Sequence, residues 1–296
     1  MQTLIIKLGA TGDVVRTTPI LRRIPGPVTW VTAAKNTPYL AGLPGQEQRL
    51  TVLPWEERSV VFGRSFDLAI SLEDDASTAS LLGEILTQVR FGAYAGVDGA
   101  MAYTDSAARW FDLSLISRHG RTRADELKFL NRETYQALVF EGLGHRFDDE
   151  AYLLPPTLPS PLRGDVAIAP EAGAVWPMKR WANYGRLRQV LEERGLVVNV
   201  LPTRPTLLEH LADVRGHRCV VCGDSLPMHL ALGSGIRCVA LFNCTSPWEI
   251  HDYGLLTKLV SPLLGEFFYK RGFDERATTA IPFDEVLAAV LRQLGA

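Results

Sequence analysis

Short runs of apolar and β-branched residues alternate with longer stretches whose apolar positions recur at helical spacing, and the alternation persists along most of the chain. That is the pattern of βα units building a parallel sheet covered on both faces. In the first half it predicts strands over residues 4–8, 28–32, 67–71 and 89–91, with helices over 13–23 and 76–86. Residues 94–127 show no clean period and hold a basic cluster of Arg118, His119, Arg121 and Arg123, before a helix predicted over 127–141. Such an irregular insert is where substrate-contacting loops are expected.

Residues 153–161 carry four prolines in nine positions, which forbids helix and marks a stiff linker. Beyond it the alternation restarts. Strands are predicted over 165–169, 196–201, 219–221 and 237–242, and helices over 183–193, 206–213 and 225–233. A closing amphipathic helix over 283–294 is expected to pack back on the first domain. The predicted fold class is therefore α/β, with two doubly wound Rossmann-like domains over 1–157 and 162–296. They are expected to face each other across a cleft at the carboxyl ends of their strands, where such sheets bind ligands.

Composition narrows the function classes. With 296 residues, 47% hydrophobic and 22% charged, the chain is an ordinary globular protein, neither disordered nor fibrous. A formal charge of -2 supplies no global attraction to nucleic acid, so no nucleic-acid partner is expected. The N-terminus lacks a signal-peptide pattern and no apolar run is long enough to span a bilayer, which predicts a cytoplasmic protein. The cysteines are Cys219, Cys222, Cys238 and Cys244, and only the first two have ligand-like spacing. A lone CxxC cannot complete a tetrahedral zinc site, and Cys219-Val-Val-Cys222 also reads as buried strand, so no metal is expected.

The first strand runs into Gly9-Ala10-Thr11-Gly12-Asp13. As a dinucleotide fingerprint this turn lacks its third small residue, since position 15 is Val. The acidic residue expected about twenty positions on is also missing, because Ala33-Ala34-Lys35-Asn36 stands there. Asp13 itself would repel a pyrophosphate. A carboxylate at a helix start is instead favoured in its charged form by free N–H groups and the helix dipole. It suits the role of base toward a hydroxyl that turns acidic only as a new bond forms, with the glycines admitting a sugar to the turn. The other reading is a helix cap, Asp13 satisfying the N–H of Val15 or Arg16. The turn by itself leaves cap and base both open.

In the second half, Lys179 and Arg180 lie near a predicted helix start, where adjacent cations would hold a diphosphate. Downstream, Cys222-Gly223-Asp224-Ser225-Leu226-Pro227-Met228-His229 ends one strand and opens a helix, with Asp224 and Ser225 as natural caps. A third junction, Asn243-Cys244-Thr245-Ser246, offers hydroxyls and a predicted helix N-terminus to an anion.

Taken in order, IIKLGATGDVVRTTPILR, ADELKFLNRETYQALVFEGLG, APEAGAVWPMKRW and GDSLPMHLALGSGIRCVALFNCTSPWEIHDYG resemble the bacterial heptosyltransferases, the ADP-heptose:lipopolysaccharide enzymes of glycosyltransferase family 9, over essentially the whole chain. The resemblance implies a GT-B fold and inverting transfer of a heptose, without metal, from a nucleotide-activated donor such as ADP-heptose to a saccharide or lipid-linked saccharide hydroxyl. It favours Asp13 as general base. Lys179, Asp224, Ser225, His229, Thr245 and Ser246 are expected donor contacts; the open glycine turn and the basic insert make Gly12, Arg16, Arg118 and Arg121 the expected acceptor contacts. No cofactor is implied beyond the substrate nucleotide sugar, and the setting implied is lipopolysaccharide synthesis, with peripheral contact at the cytoplasmic face of the inner membrane. The alternative is a nucleotide-sugar epimerase or hydrolase of similar fold, which would need further acid/base groups. Two stretches depart from the family pattern. Gly265–Arg271 lacks the cysteine that many relatives carry there, and Leu201-Pro202-Thr203-Arg204-Pro205 stands where relatives commonly have a glycine-rich turn followed by an acidic residue that can reach the nucleotide.

Overall fold

A computed structural model describes residues 1–113 and 118–295 of the chain. It divides into two compact units, Met1–Pro156 and Thr157–Ala296, the boundary falling inside the proline-rich stretch.

In the first unit, β1 (Thr3–Ile6), β2 (Val28–Thr32), β3 (Leu50–Pro54), β4 (Ser65–Ser71) and β5 (Leu86–Phe91) form one parallel sheet in the order β3-β2-β1-β4-β5. Successive residues of β1 serve opposite faces. Leu4 and Ile6 join Val31, Phe66, Ala69 and Leu82 in one core cluster, and Ile5 joins Trp30, Ile70 and Phe91 in the other. A strand buried on both faces has no polar side, which explains the unbroken apolar run that predicts it. The strand order reverses between β1 and β4, so the loops leaving those strands flank the crevice where such a sheet takes ligand.

Several elements differ from the sequence expectation. Edge strand β3 is only partly buried, and an antiparallel pair, β6 (Ala93–Ala95) and β7 (Met101–Tyr103), lies inside the irregular insert. The first helix covers Thr11–Thr17 and passes into a 3-10 turn, Thr18–Arg22, because Pro19 has no N–H to continue it. The single helix predicted over 127–141 is two, Arg121–Leu130 and Tyr135–Gly142. Thr134 starts the second by accepting the N–H of Ala137.

The second unit repeats the architecture with β8 (Gly164–Ala169), β9 (Val198–Val200), β10 (His217–Gly223), β11 (Arg237–Phe242) and β12 (Leu256–Val260), all parallel, in the order β12-β11-β10-β8-β9. Its reversal lies between β8 and β10. The closing helix, Phe283–Leu294, corrects an expectation: its Val286, Ala289 and Val290 are buried in the core cluster of this second sheet with Val221, Val239 and Leu241. The helix stripe matches an apolar sheet face in its own unit, so its packing partner is local.

All four cysteines are free and buried. Burial pushes the Cys219 thiol up to about 12 and that of Cys244 up to about 11. Among the described residues no helix is long and apolar enough to cross a membrane, and no group of three or more His, Cys, Asp or Glu is placed to hold a metal ion.

Candidate active site

The turn after β1 is held by side chains from the segments that follow both neighbouring strands. Asn36, fully buried beyond β2, donates to the carbonyl of Leu8 at 2.6 Å and accepts the Thr11 hydroxyl at 2.7 Å. Glu73, beyond β4, accepts the N–H groups of Leu8 at 2.7 Å and Gly9 at 3.1 Å. A Cβ built on Gly9 would meet no atom within 4 Å, so the turn is open on that side.

Asp13 sits in the first turn of helix Thr11–Thr17, and its carboxylate is oriented at both oxygens. Arg16 lies 2.9 Å from Oδ1, and the N–H of Ala10 donates to Oδ2 at 3.2 Å. The cap reading is therefore corrected in its detail: Ala10 holds the N-cap position, and Asp13 reaches back to it rather than forward to Val15 or Arg16. The Arg16 guanidinium is itself seated, with Cζ 4.1 Å from the centre of the Tyr135 ring. Tyr135 shares a 2.6 Å hydrogen bond with Thr17, whose hydroxyl also approaches the carbonyl of Asp13 at 2.6 Å.

Lys7 completes this charge cluster. Its ammonium is 5% exposed and lies 3.0 Å from Glu73 Oε1. Burial is the largest single influence and works against the Lys7 charge, but Glu73, Asp13 and Tyr135 together outweigh it, so the ammonium is held above its ordinary range. Burial drives the Tyr135 hydroxyl upward, with Lys7 and Arg16 opposing. Two carboxylates and two cations thus alternate around one turn. For the buried Lys7 and Arg16 that pairing offsets the cost of taking a cation out of water.

In the second unit the corresponding position, past β8 and β10, is occupied by Lys179 and Asp224. Lys179 ends a single 3-10 turn, Pro177–Lys179, rather than opening an α-helix; the next helix starts at Tyr184. Its Nζ donates to the main-chain carbonyl of Asp224 at 2.7 Å and lies 2.9 Å from Asp224 Oδ2. Met178, Cys244, Phe267 and Ala277 form a small buried apolar cluster beneath this turn. Gly223 is required beside it, because a Cβ there would stand 2.7 Å from the carbonyl oxygen of Lys179.

Asp224 thus pairs with Lys179. Ser225 holds the N-cap position of helix Leu226–Gly233, but its hydroxyl turns back to the carbonyl of Gly223 at 3.2 Å. His229 is buried in that helix. Thr245 and Ser246 correct a further expectation, since no helix starts there: they lie in a bend after β11, and the segment on to β12 is irregular. Their hydroxyls, with the side-chain oxygen of Asn243, are buried without a hydrogen-bond partner. Three orphan polar atoms within four residues at a strand's carboxyl end mark a place where a ligand or water completes the bonding.

The basic insert is locally neutralised. Arg118 lies 2.6 Å from Asp112, which also faces His119 at 3.2 Å, and Arg121 is 3.7 Å from Asp125 one helical turn on.

Sequence reasoning missed Lys7, Asn36, Glu73, Tyr135 and Asn243. Lys7 carried a signal, as a cation closing an otherwise apolar strand; Glu73 carried a similar one after the run Ala69-Ile70-Ser71-Leu72.

Solved structures share this fold across nearly the whole chain. A glycosyl transferase of family 9 from Veillonella parvula superposes with TM-score 0.62 at 16% identity, covering 99% of this chain and 97% of its own. The E. coli heptosyltransferase WaaC, solved with ADP-2-deoxy-2-fluoro heptose, gives 0.57 at 15%, covering 91% and 96%. E. coli ADP-heptose lps heptosyltransferase II gives 0.56 at 17%, with both chains covered completely. The expected GT-B class, two Rossmann-like domains, is thereby the fold observed. No family sequence model and no curated protein sequence matches the chain.

Proposed function

We propose that this protein is an inverting glycosyltransferase that moves a heptose from ADP-heptose to a saccharide hydroxyl. The observation that carries the reading is the Lys179–Asp224 pair at the strand-order reversal of the second sheet, in a fold shared with a structure holding an ADP-heptose analogue. A lysine fixed there, at the carboxyl ends of β8 and β10, supports a diphosphate site, because a doubly wound sheet takes ligand in that crevice.

In this reading the donor's diphosphate takes the Lys179 ammonium, and the hydroxyls of Thr245 and Ser246 donate to its oxygens. Asp224 and His229 complete the donor contacts. The acceptor hydroxyl gives its proton to Asp13 as its oxygen bonds to the anomeric carbon. The bond from that carbon to the diphosphate oxygen breaks, and its electron pair leaves with the nucleotide. Arg16 and the Ala10 N–H hold the Asp13 carboxylate in one orientation for that proton transfer. Lys179 neutralises the charge that grows on the leaving diphosphate. The open side of Gly9 and the adjacent Gly12 admit the acceptor, and Arg118 and Arg121 would exchange their local carboxylate partners for an acidic or phosphorylated saccharide.

The test is a thermal-shift comparison of sugar nucleotides followed by turnover. ADP-heptose at a hundredfold its Kd should add about 2.7 kcal/mol to wild-type stability, and Lys179→Ala should lose that gain. Donor should remain intact until an acceptor saccharide is added. A protein stabilised by no sugar nucleotide, or one that consumes donor alone, contradicts the proposal.

A further inference from the structure

The glycine turn of the first unit is already occupied by an anion of the protein itself. In nucleotide-binding α/β units a phosphate sits at the N-terminus of the helix that follows this turn. Here the N–H groups of Leu8 and Gly9 both point at Glu73 Oε1, at 2.7 and 3.1 Å, and the Lys7 ammonium meets the same oxygen at 3.0 Å. Glu73 stands just past β4, across the strand-order reversal from β1, so it reaches the turn from the opposite wall of the crevice.

We propose that Glu73 is a positioning residue, an internal anion that holds the turn from Leu8 to Asp13 in the shape that presents Asp13. The inference rests on the reading of Asp13 as the base of glycosyl transfer. Its geometric support is that Leu8 is fixed at both ends of its backbone, the N–H by Glu73 and the carbonyl by Asn36 at 2.6 Å. The backbone that leads into Asp13 is therefore held by two side chains, one from the 3-10 turn after β2 and one from the loop after β4. Glu73 is also a direct counterion of Lys7, which is buried, and an uncompensated buried ammonium is costly. Truncating Glu73 leaves a cation and two N–H groups around a carboxylate-sized hole, which an added anion can fill.

The experiment compares wild type, Glu73→Ala and Glu73→Gln, with acetate and inorganic phosphate as probes. Glu73→Ala should lose about 10²-fold in kcat, as misplaced catalytic groups do, with donor KM unchanged. Acetate should raise the Tm of this variant and restore part of its kcat, and phosphate should raise its Tm, while neither does so for wild type. Glu73→Gln keeps an oxygen for the two N–H groups but not the charge, and should lose only about tenfold. Wild-type kcat in Glu73→Ala, or a variant that acetate neither stabilises nor reactivates, overturns the proposal. If wild type transfers from no sugar nucleotide, the reading of Asp13 fails on its own account. The acetate shift of Glu73→Ala then decides alone whether the turn is held by an anion. Should Glu73→Ala not fold, Glu73→Gln carries the kinetic arm: reduced kcat at unchanged donor KM supports the inference, and wild-type kcat overturns it.

Discussion

Lys179 and Asp224 are joined twice, the ammonium donating to the main-chain carbonyl at 2.7 Å and lying 2.9 Å from Oδ2. Both side chains are mostly buried, at 18% and 11% exposure, so removing the cation takes an ion-pair partner from a buried carboxylate. Lys179→Ala should lower stability by about 2 kcal/mol, the scale of a charged hydrogen bond. It should also cut kcat/KM for transfer by at least about 10²-fold. Lys179→Arg should not restore the rate, since a planar fork cannot reproduce a compact ammonium meeting a carbonyl and a carboxylate together. Urea midpoints and initial rates with donor measure both; an unchanged kcat/KM in Lys179→Ala removes the lysine from the site.

Gly223 owes its identity to that same lysine. A Cβ at this position would come within 2.7 Å of the Lys179 carbonyl oxygen, and backbone rather than a flexible side chain would have to move. Gly223→Ala should therefore destabilise by about 1–3 kcal/mol, as overpacking does. It should also raise the donor Kd, because the turn that carries Lys179 is pushed away. Chemical denaturation with donor titration distinguishes this from a silent change; wild-type stability and Kd would show that the approach is not tight.

Arg204 belongs to the segment that departs from the family pattern, and its guanidinium is engaged by Asp213 at 2.6 and 3.0 Å. Ser160 donates to the same carboxylate at 2.5 Å. Burial works against the Asp213 charge, but these hydrogen bonds and the Arg204 charge outweigh it and hold its carboxyl below the ordinary range. Because the folded value is lowered, the stabilisation is complete above the unfolded value near ~3.9 and is lost as pH falls through the folded one. The urea midpoint of wild type should thus drop more steeply below about pH 4 than that of Asp213→Asn. Ser160→Ala should cost about 1 kcal/mol at neutral pH. Parallel acid limbs in wild type and Asp213→Asn would contradict this.

What the sequence could and could not convey follows from how far each interaction reaches along the chain. Buried central strands announce themselves, because Leu4-Ile5-Ile6 must be apolar on both faces whatever lies around them. Edge strand β3 does not, since Leu50 to Pro54 is half exposed and ends in proline. The contacts of Asp13 with Ala10 and Arg16 lie within one helical turn, a range the sequence displays. Glu73 and Asn36 act on the same turn from 64 and 28 residues away, and only the pairing of β1 with β2 and β4 brings them there. Lys179 was legible as a cation near small residues, but its partner became definite only when β8 and β10 were adjacent. The closing helix shows the converse: its amphipathic stripe was plain, and the sheet it covers was not.

The account turns on Asp13 as the group that takes the acceptor's proton. The most direct measurement is single-turnover transfer by Asp13→Asn beside wild type, with donor binding measured by titration on both. The variant should bind donor as wild type does and transfer at least about 10²-fold more slowly, the scale of a lost general base. Transfer at the wild-type rate by a folded, donor-binding Asp13→Asn protein would contradict the mechanism.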